Sequence, residues 1–206
     1  MKKIVCFFTI FWLMQVGNSF AQSIVKEGVL IVAGGCFWCT ESDFEKYQGV
    51  LHAESGYING STLNPTYNEV ASNQTGHFEA VKITYDKDLV SLRDLVDFYW
   101  YTIDPTDSSG QFCDKGSSYK TALFYQDKTQ KTVFEDSLAN IELKKPFAEP
   151  IVTEILEAKI FYSAEDYHQD FYKKSSLRYR YYRHSCGREK RIEELWGQIV
   201  TDKLKY

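Results

Sequence analysis

Residues 28–47 read GVLIVAGGCFWCTESDFEKY, and this stretch sets the fold. Gly28 to Ala33 is a short apolar run, as in a buried strand. Gly34 and Gly35 end it with a turn signal. From Cys36 to Tyr47 the chain reads as a helix, with Glu41, Asp43 and Glu45 inside it. The cysteine therefore opens a helix directly after a strand. Unpaired N–H groups at a helix start favour an anion. On that argument Cys36 is expected to have a lowered pKa and a larger thiolate fraction. Cys39 stands three residues on, so the pair is a redox candidate in its own right. The plainer alternatives are a structural disulfide or a buried thiol.

Outward from this unit, Val50 to Tyr57 reads as a strand, and the turn-rich residues 58–68 read as a loop. Phe78 to Tyr85 alternates like a strand, with Glu79, Val81, Ile83 and Tyr85 on one face. A carboxyl on an apolar face tends to keep its proton, because burial disfavours the charge. Glu79 is thus a candidate general acid, or else a strand-edge residue bonded to backbone. Leu92 to Tyr101 is a helix, and Ser91 with Asp94 looks like its capping box. Asp104 to Tyr119 is a long Gly/Ser/Asp-rich loop, a common seat of function. Then follow a strand at Lys120–Tyr125, a helix at Lys128–Leu143 and a strand at Ile151–Ala158. Ser163 with Asp166 is read as the cap of a further helix, and Arg188–Val200 as the last one.

This order predicts an α+β fold: a two-layer α/β sandwich with a ferredoxin-like mixed sheet, helices packed on it, and a C-terminal helical extension from about residue 175. No Gly-x-Gly-x-x-Gly follows a strand, so a dinucleotide fold has no support.

The 206 residues suit a single domain. With 24 Lys+Arg against 28 Asp+Glu the net charge is −4, which argues against nucleic acid as the main partner. The aromatic and basic run Arg178 to Arg183 is read as a packed, solvated helix face. Lys2 and Lys3 precede an apolar run from Ile4 to Met14, and Ser19-Phe20-Ala21 resembles a cleavage site. Residues 1–21 therefore read as a signal peptide, residues 22–206 as one domain, and the protein as exported, periplasmic or secreted. Cutting there removes Cys6 and leaves Cys36, Cys39, Cys113 and Cys186, in a compartment where thiols can pair. Four thiolates could hold zinc, but the second half lacks a knuckle spacing, so no metal is expected.

Gly35-Cys36-Phe37-Trp38 is where a family becomes visible. The chain resembles the A-type peptide methionine sulfoxide reductases. Further matches follow in order: Ser55-Gly56-Tyr57 with Asn59-Gly60, Asn64-Pro65-Thr66-Tyr67, Gly76-His77-Phe78-Glu79, Asp104-Pro105-Thr106, Asp114 through Gly116 to Tyr119, and Phe161 through His168-Gln169. The resemblance implies reduction of methionine-S-sulfoxide, free or in proteins, by a monomer without a cofactor. It implies that Cys36 is the nucleophile and Glu79 the acid. Tyr67 and Tyr119 would hold the sulfoxide oxygen, Asp114 would be a further polar member, and Phe37 and Trp38 would hold the S-methyl group. A thioredoxin-like dithiol would be the reductant. The chain departs from the family where Cys39 replaces a common Gly and where the recycling cysteine comes late, at Cys186. Cys113 also stands where many members have Asn. The resolving cysteine stays open among Cys186, Cys39 and Cys113, with Cys186 preferred because its segment reads as mobile. The competing function is an envelope thiol–disulfide oxidoreductase using Cys36 and Cys39.

Overall fold

The structure, a computed structural model, describes residues 25–197. The expected signal peptide and residues 198–200 of the expected last helix lie outside them. The elements in chain order are β1 (Glu27–Gly34), α1 (Phe37–Glu45), β2 (Val50–Ile58), α2 (Tyr67–Ala71), β3 (Phe78–Asp86), α3 (Leu92–Trp100), β4 (Gly110–Gln111), β5 (Asp114–Lys115), a 3-10 turn (Ser117–Tyr119), β6 (Thr121–Tyr125), α4 (Lys128–Lys144), β7 (Glu154–Glu157), β8 (Phe161–Ser163), α5 (Phe171–Lys174), α6 (Ser176–Ser185) and α7 (Arg188–Trp196).

The main sheet runs β7-β6-β1-β3-β2-β8. Its centre, β6-β1-β3-β2, is antiparallel throughout, and α1 and α3 stand in the chain between its strands. That is the expected ferredoxin-like unit. Strand β7 adds parallel to β6, and β8 adds antiparallel to β2, so the sheet is mixed.

Strand β1 shows why GVLIVA is apolar without alternation. Leu30 and Val32 enter the large core that includes Leu95, Val96 and Tyr99 of α3 and Phe134 of α4. Ile31 and Ala33 enter a smaller core on the other face, with Ala80 and Phe124. Side chains alternate between faces along a strand, so a central strand covered on both sides needs apolar residues at every position. Each fully buried Leu or Val contributes about 2 kcal/mol. Strand β3 carries Val81, Ile83 and Tyr85 into the large core, as its alternation predicts.

Three expectations are corrected. Residues 58–68 are not all loop, because Thr66 and Glu69 form a capping box that starts α2 at Tyr67. Ser163 and Asp166 do not cap a helix. Ser163 ends β8 and its hydroxyl bonds Glu54, while Glu165 and Gln169 bond neighbouring elements instead of a local turn. The strand expected at Ile151–Ala158 is trimmed to β7, because Val152 donates its N–H to Pro105 outside the sheet.

The C-terminal extension is not a loose tail. Ile192, Leu195 and Trp196 of α7 join the large core. Arg188 is 2% exposed, and its guanidinium donates to the carbonyls of Gly34 and Thr102. Arg183 of α6 pairs with Asp43 of α1 at 2.6 Å, and Arg191 with Asp104 at 2.7 Å. Cys186 lies between these anchors, so the segment expected to be mobile is tied to α1 and to Asp104 by ion pairs.

Candidate active site

The site forms where β1 hands over to α1. Gly35 turns the chain at φ +80°, and a Cβ there would stand 2.5 Å from the Cβ of Gln111. Only glycine fits this turn without strain. Cys36 is the N-cap of α1, and its carbonyl accepts from the N–H groups of Cys39 and Thr40. Around one cavity the fold collects Cys36, Phe37, Trp38, Tyr67, Glu79, Asp114, Tyr119 and Tyr182. Every residue predicted for catalysis or substrate binding is in that set, drawn from α1, α2, β3, β5 and the 3-10 turn.

Two ties position the tyrosines. The Glu165 carboxylate accepts from the N–H of Tyr67 at 2.9 Å and from the Tyr57 hydroxyl at 2.8 Å, which fixes the start of α2. At the far end of α2, the Asn73 side-chain oxygen accepts from the N–H and hydroxyl of Ser118, one residue before Tyr119. Gly116 makes room for that bridge, since a Cβ there would meet the Asn73 oxygen at 2.3 Å.

Glu79 is 2% exposed. Burial pushes its carboxyl up to about 8, helped by nearby Asp114 and opposed by the hydrogen bond from the Phe37 N–H. It is therefore predominantly an acid at neutral pH. Burial also raises Tyr67 to about 12 and pushes Tyr119 up, so both hydroxyls stay protonated donors. Asp114 is pushed up by burial, and the Tyr182 hydroxyl donates to it.

Cys36 does not behave as its place at a helix start suggested. Burial pushes its thiol well above the ordinary value, and the neighbouring Glu79 and Asp114 add to this. The reason is local: the first helical N–H, that of Phe37, donates to Glu79 at 3.1 Å and not to the sulfur. Cys39 moves the other way. A hydrogen bond from Cys36 lowers it most, and Arg188 and Arg183 lower it further. Within the pair, Cys36 is the thiol pushed up and Cys39 the one pushed down.

The apolar wall is built by stacking. Trp38 lies on Phe171 with ring centroids 3.8 Å apart, and its indole N–H donates to His168 Nδ1 at 3.0 Å. Phe37 stacks against Tyr67. Burial holds His168 below its ordinary value, so it acts as a neutral acceptor.

Cys113 and Cys186 are bonded to each other, while Cys36 and Cys39 are free and buried. The bond consumes two of the four thiolates that a zinc site would need. Among the described residues, the group placed to hold a metal is Cys113, Asp114 and Cys186, two of which are in that disulfide.

The family model for peptide methionine sulfoxide reductase matches residues 28–200. The chain belongs to that family. Among its peptide methionine sulfoxide reductase relatives, the MsrA of Bacillus licheniformis is 49% identical over 173 residues, covering 84% of this chain and 96% of the relative. That of Bacillus subtilis is 47% identical, covering 84% and 97%. Two solved structures share the fold. Reduced Mxr1 of Saccharomyces cerevisiae has a TM-score of 0.68 at 30% identity, over 72% of this chain and 86% of that one. Methionine sulfoxide reductase A of Corynebacterium diphtheriae has a TM-score of 0.65 at 29% identity, over 73% and 76%. Sequence reasoning within this reductase passed over Tyr182. It lies in the run Arg178 to Arg183, read only as a helix face, and its position four residues before Cys186 was the available signal.

Proposed function

We propose that the protein reduces methionine-S-sulfoxide, free or within polypeptides, to methionine. The observation that carries this is a protonated carboxyl, Glu79, lining the same cavity as a free thiol, Cys36, two phenol donors and an aromatic wall. A sulfoxide oxygen leaves poorly unless protonated, and Glu79 supplies the proton while Tyr67 and Tyr119 hold the developing charge. The S-methyl group suits the Phe37 and Trp38 rings. Cys36 passes its proton to Cys39, with which it shares a hydrogen bond, and its sulfur attacks the sulfoxide sulfur. The protonated oxygen passes to the Cys36 sulfur as the S–O bond and the transient bond between the two sulfurs break, methionine leaves, and Cys36 becomes a sulfenic acid. A second cysteine condenses with it, expelling water, and an external thioredoxin-like dithiol reduces the resulting disulfide by exchange.

Export through a signal peptide at residues 1–21 and action as a monomer belong to the same reading; the lysines followed by an apolar run support the first. The test is turnover of free and peptide-bound S and R sulfoxides with dithiothreitol. The S epimer is consumed and the R epimer is not; equal consumption of both contradicts the assignment.

A further inference from the structure

The basic and aromatic run of the C-terminal extension has no part in the chemistry described so far, Tyr182 apart. From Phe171 to Ser185 the chain carries five Lys and Arg residues and no Asp or Glu, although its net charge is −4. Three of these cations are engaged. Arg183 pairs with Asp43 and Glu189, Lys173 pairs with Glu45 and Asp170, and Lys174 donates to the Asp166 carbonyl. Arg178 is different. It is exposed, and among the described residues its guanidinium has neither a carboxylate partner nor a hydrogen-bond acceptor. Its contact is the Phe171 ring, with the guanidinium carbon 5.8 Å from the ring centre.

That contact puts a charge beside the substrate cavity. Phe171 stacks on Trp38 with ring centroids 3.8 Å apart, and Trp38 lines the cavity with Cys36. Arg178 also stands one helical turn before Tyr182 on α6, and Tyr182 lines the same cavity. Two links therefore place Arg178 at the rim: the ring it rests on and the helix it belongs to. A guanidinium that rests on a ring uses its flat face and keeps its in-plane N–H donors for a carboxylate.

We propose that Arg178 is a specificity-determining residue that binds the carboxylate of an Asp or Glu two residues from the sulfoxide in a polypeptide substrate. This rests on the function proposed above and names the class of polypeptide that the site favours. The sulfoxide side chain enters the cavity, and the extended main chain stays at its mouth. Side chains two residues away point to the same side as the sulfoxide and lie about 7 Å along the chain. One of them crosses the Trp38 and Phe171 rings to reach Arg178. A Lys at that place meets a like charge and is disfavoured. The contact is the same in the ground state and the transition state, so it acts on KM and leaves kcat alone. It is exposed, so it is worth a factor of about 2 to 5 and weakens with salt.

The test uses the full-length protein with dithiothreitol and three capped pentapeptides. Each has methionine-S-sulfoxide at its centre, Ala on either side of it, and Asp, Asn or Lys at both ends. For wild type, kcat/KM is expected to fall in the order Asp, Asn, Lys, by about 2-fold to 5-fold at each step, with the change carried by KM. Salt at about 0.5 M should flatten the order. Arg178→Gln is expected to abolish it, Arg178→Glu to reverse it, and Arg178→Lys to keep it in weaker form. The order is a ratio within each variant, so a general loss of activity does not imitate it. Equal KM values for the three peptides in wild type overturn the proposal, as does an order that survives unchanged in Arg178→Gln. Should Arg178→Gln not fold, the order in Arg178→Glu decides in the same way. Failure of wild type to reduce any of the peptides would instead overturn the functional reading itself.

Discussion

At the residue scale, the site depends on which group holds a proton. The acid form of Glu79 prevails below about 8 and is lost above it. Turnover in wild type should therefore fall as pH rises through that value. Glu79→Gln should lose roughly 10²-fold or more in rate, by analogy with removal of a preorganised donor, and should also lose the alkaline fall attributable to this carboxyl. Steady-state rates across pH check both. The same group links to stability. Its folded pKa lies above the unfolded value, so its stabilisation is full at low pH and is lost as pH rises through about 8. Urea midpoints at pH 5 and pH 9 should lie closer together in Glu79→Gln than in wild type. Tyr67→Phe and Tyr119→Phe test the oxygen site. Each should reduce kcat, by about 10-fold to 10²-fold, with KM changed less. The placement of Glu79 was legible in the alternation of residues 78–85, because a strand has a strict period of two. The charge state of Cys36 was not legible. Burial raises that thiol, and the Phe37 N–H that would have favoured its thiolate donates to the carboxyl of Glu79, 42 residues away in sequence.

At the scale of elements, the strand–glycine–helix unit was readable because each part has a local cause: apolar run, turn residues, helix start. Helix α2 and the false helix after Ser163 were missed for the opposite reason. Glu69 turns back to Thr66 to cap α2, whereas Glu165 and Gln169 spend their side chains on Tyr57, Tyr67 and Ser55, far away in sequence. Sequence spacing alone does not separate a local capping partner from a distant one. Gly35→Ala should cost more than about 1 kcal/mol, since it combines a positive φ with a close approach to Gln111. It should also lower activity by moving Cys36. Arg188→Met should lower stability by about 1–3 kcal/mol, because it leaves the buried carbonyls of Gly34 and Thr102 without their donor. Urea unfolding followed by tryptophan fluorescence reads both.

At the scale of the whole molecule, a ferredoxin-like centre carries the thiol site at one end of its central strand, and the C-terminal helices close over that end. The ferredoxin-like centre followed from the element order, since short connections leave few alternatives, whereas the edge strand β8 did not. The extension's docking did not follow, because it is made by buried arginines whose partners are backbone carbonyls and Asp43. The Cys113–Cys186 bond spans 73 residues and should stabilise the fold by up to about 4 kcal/mol through the unfolded chain's lost freedom. Everything proposed for the molecule rests on Cys36 attacking a sulfoxide sulfur. The most direct measurement is methionine release from methionine-S-sulfoxide by Cys36→Ser beside wild type, both with dithiothreitol. The account predicts sustained release by wild type and none above background by Cys36→Ser. Release by Cys36→Ser at a rate near that of wild type would contradict it.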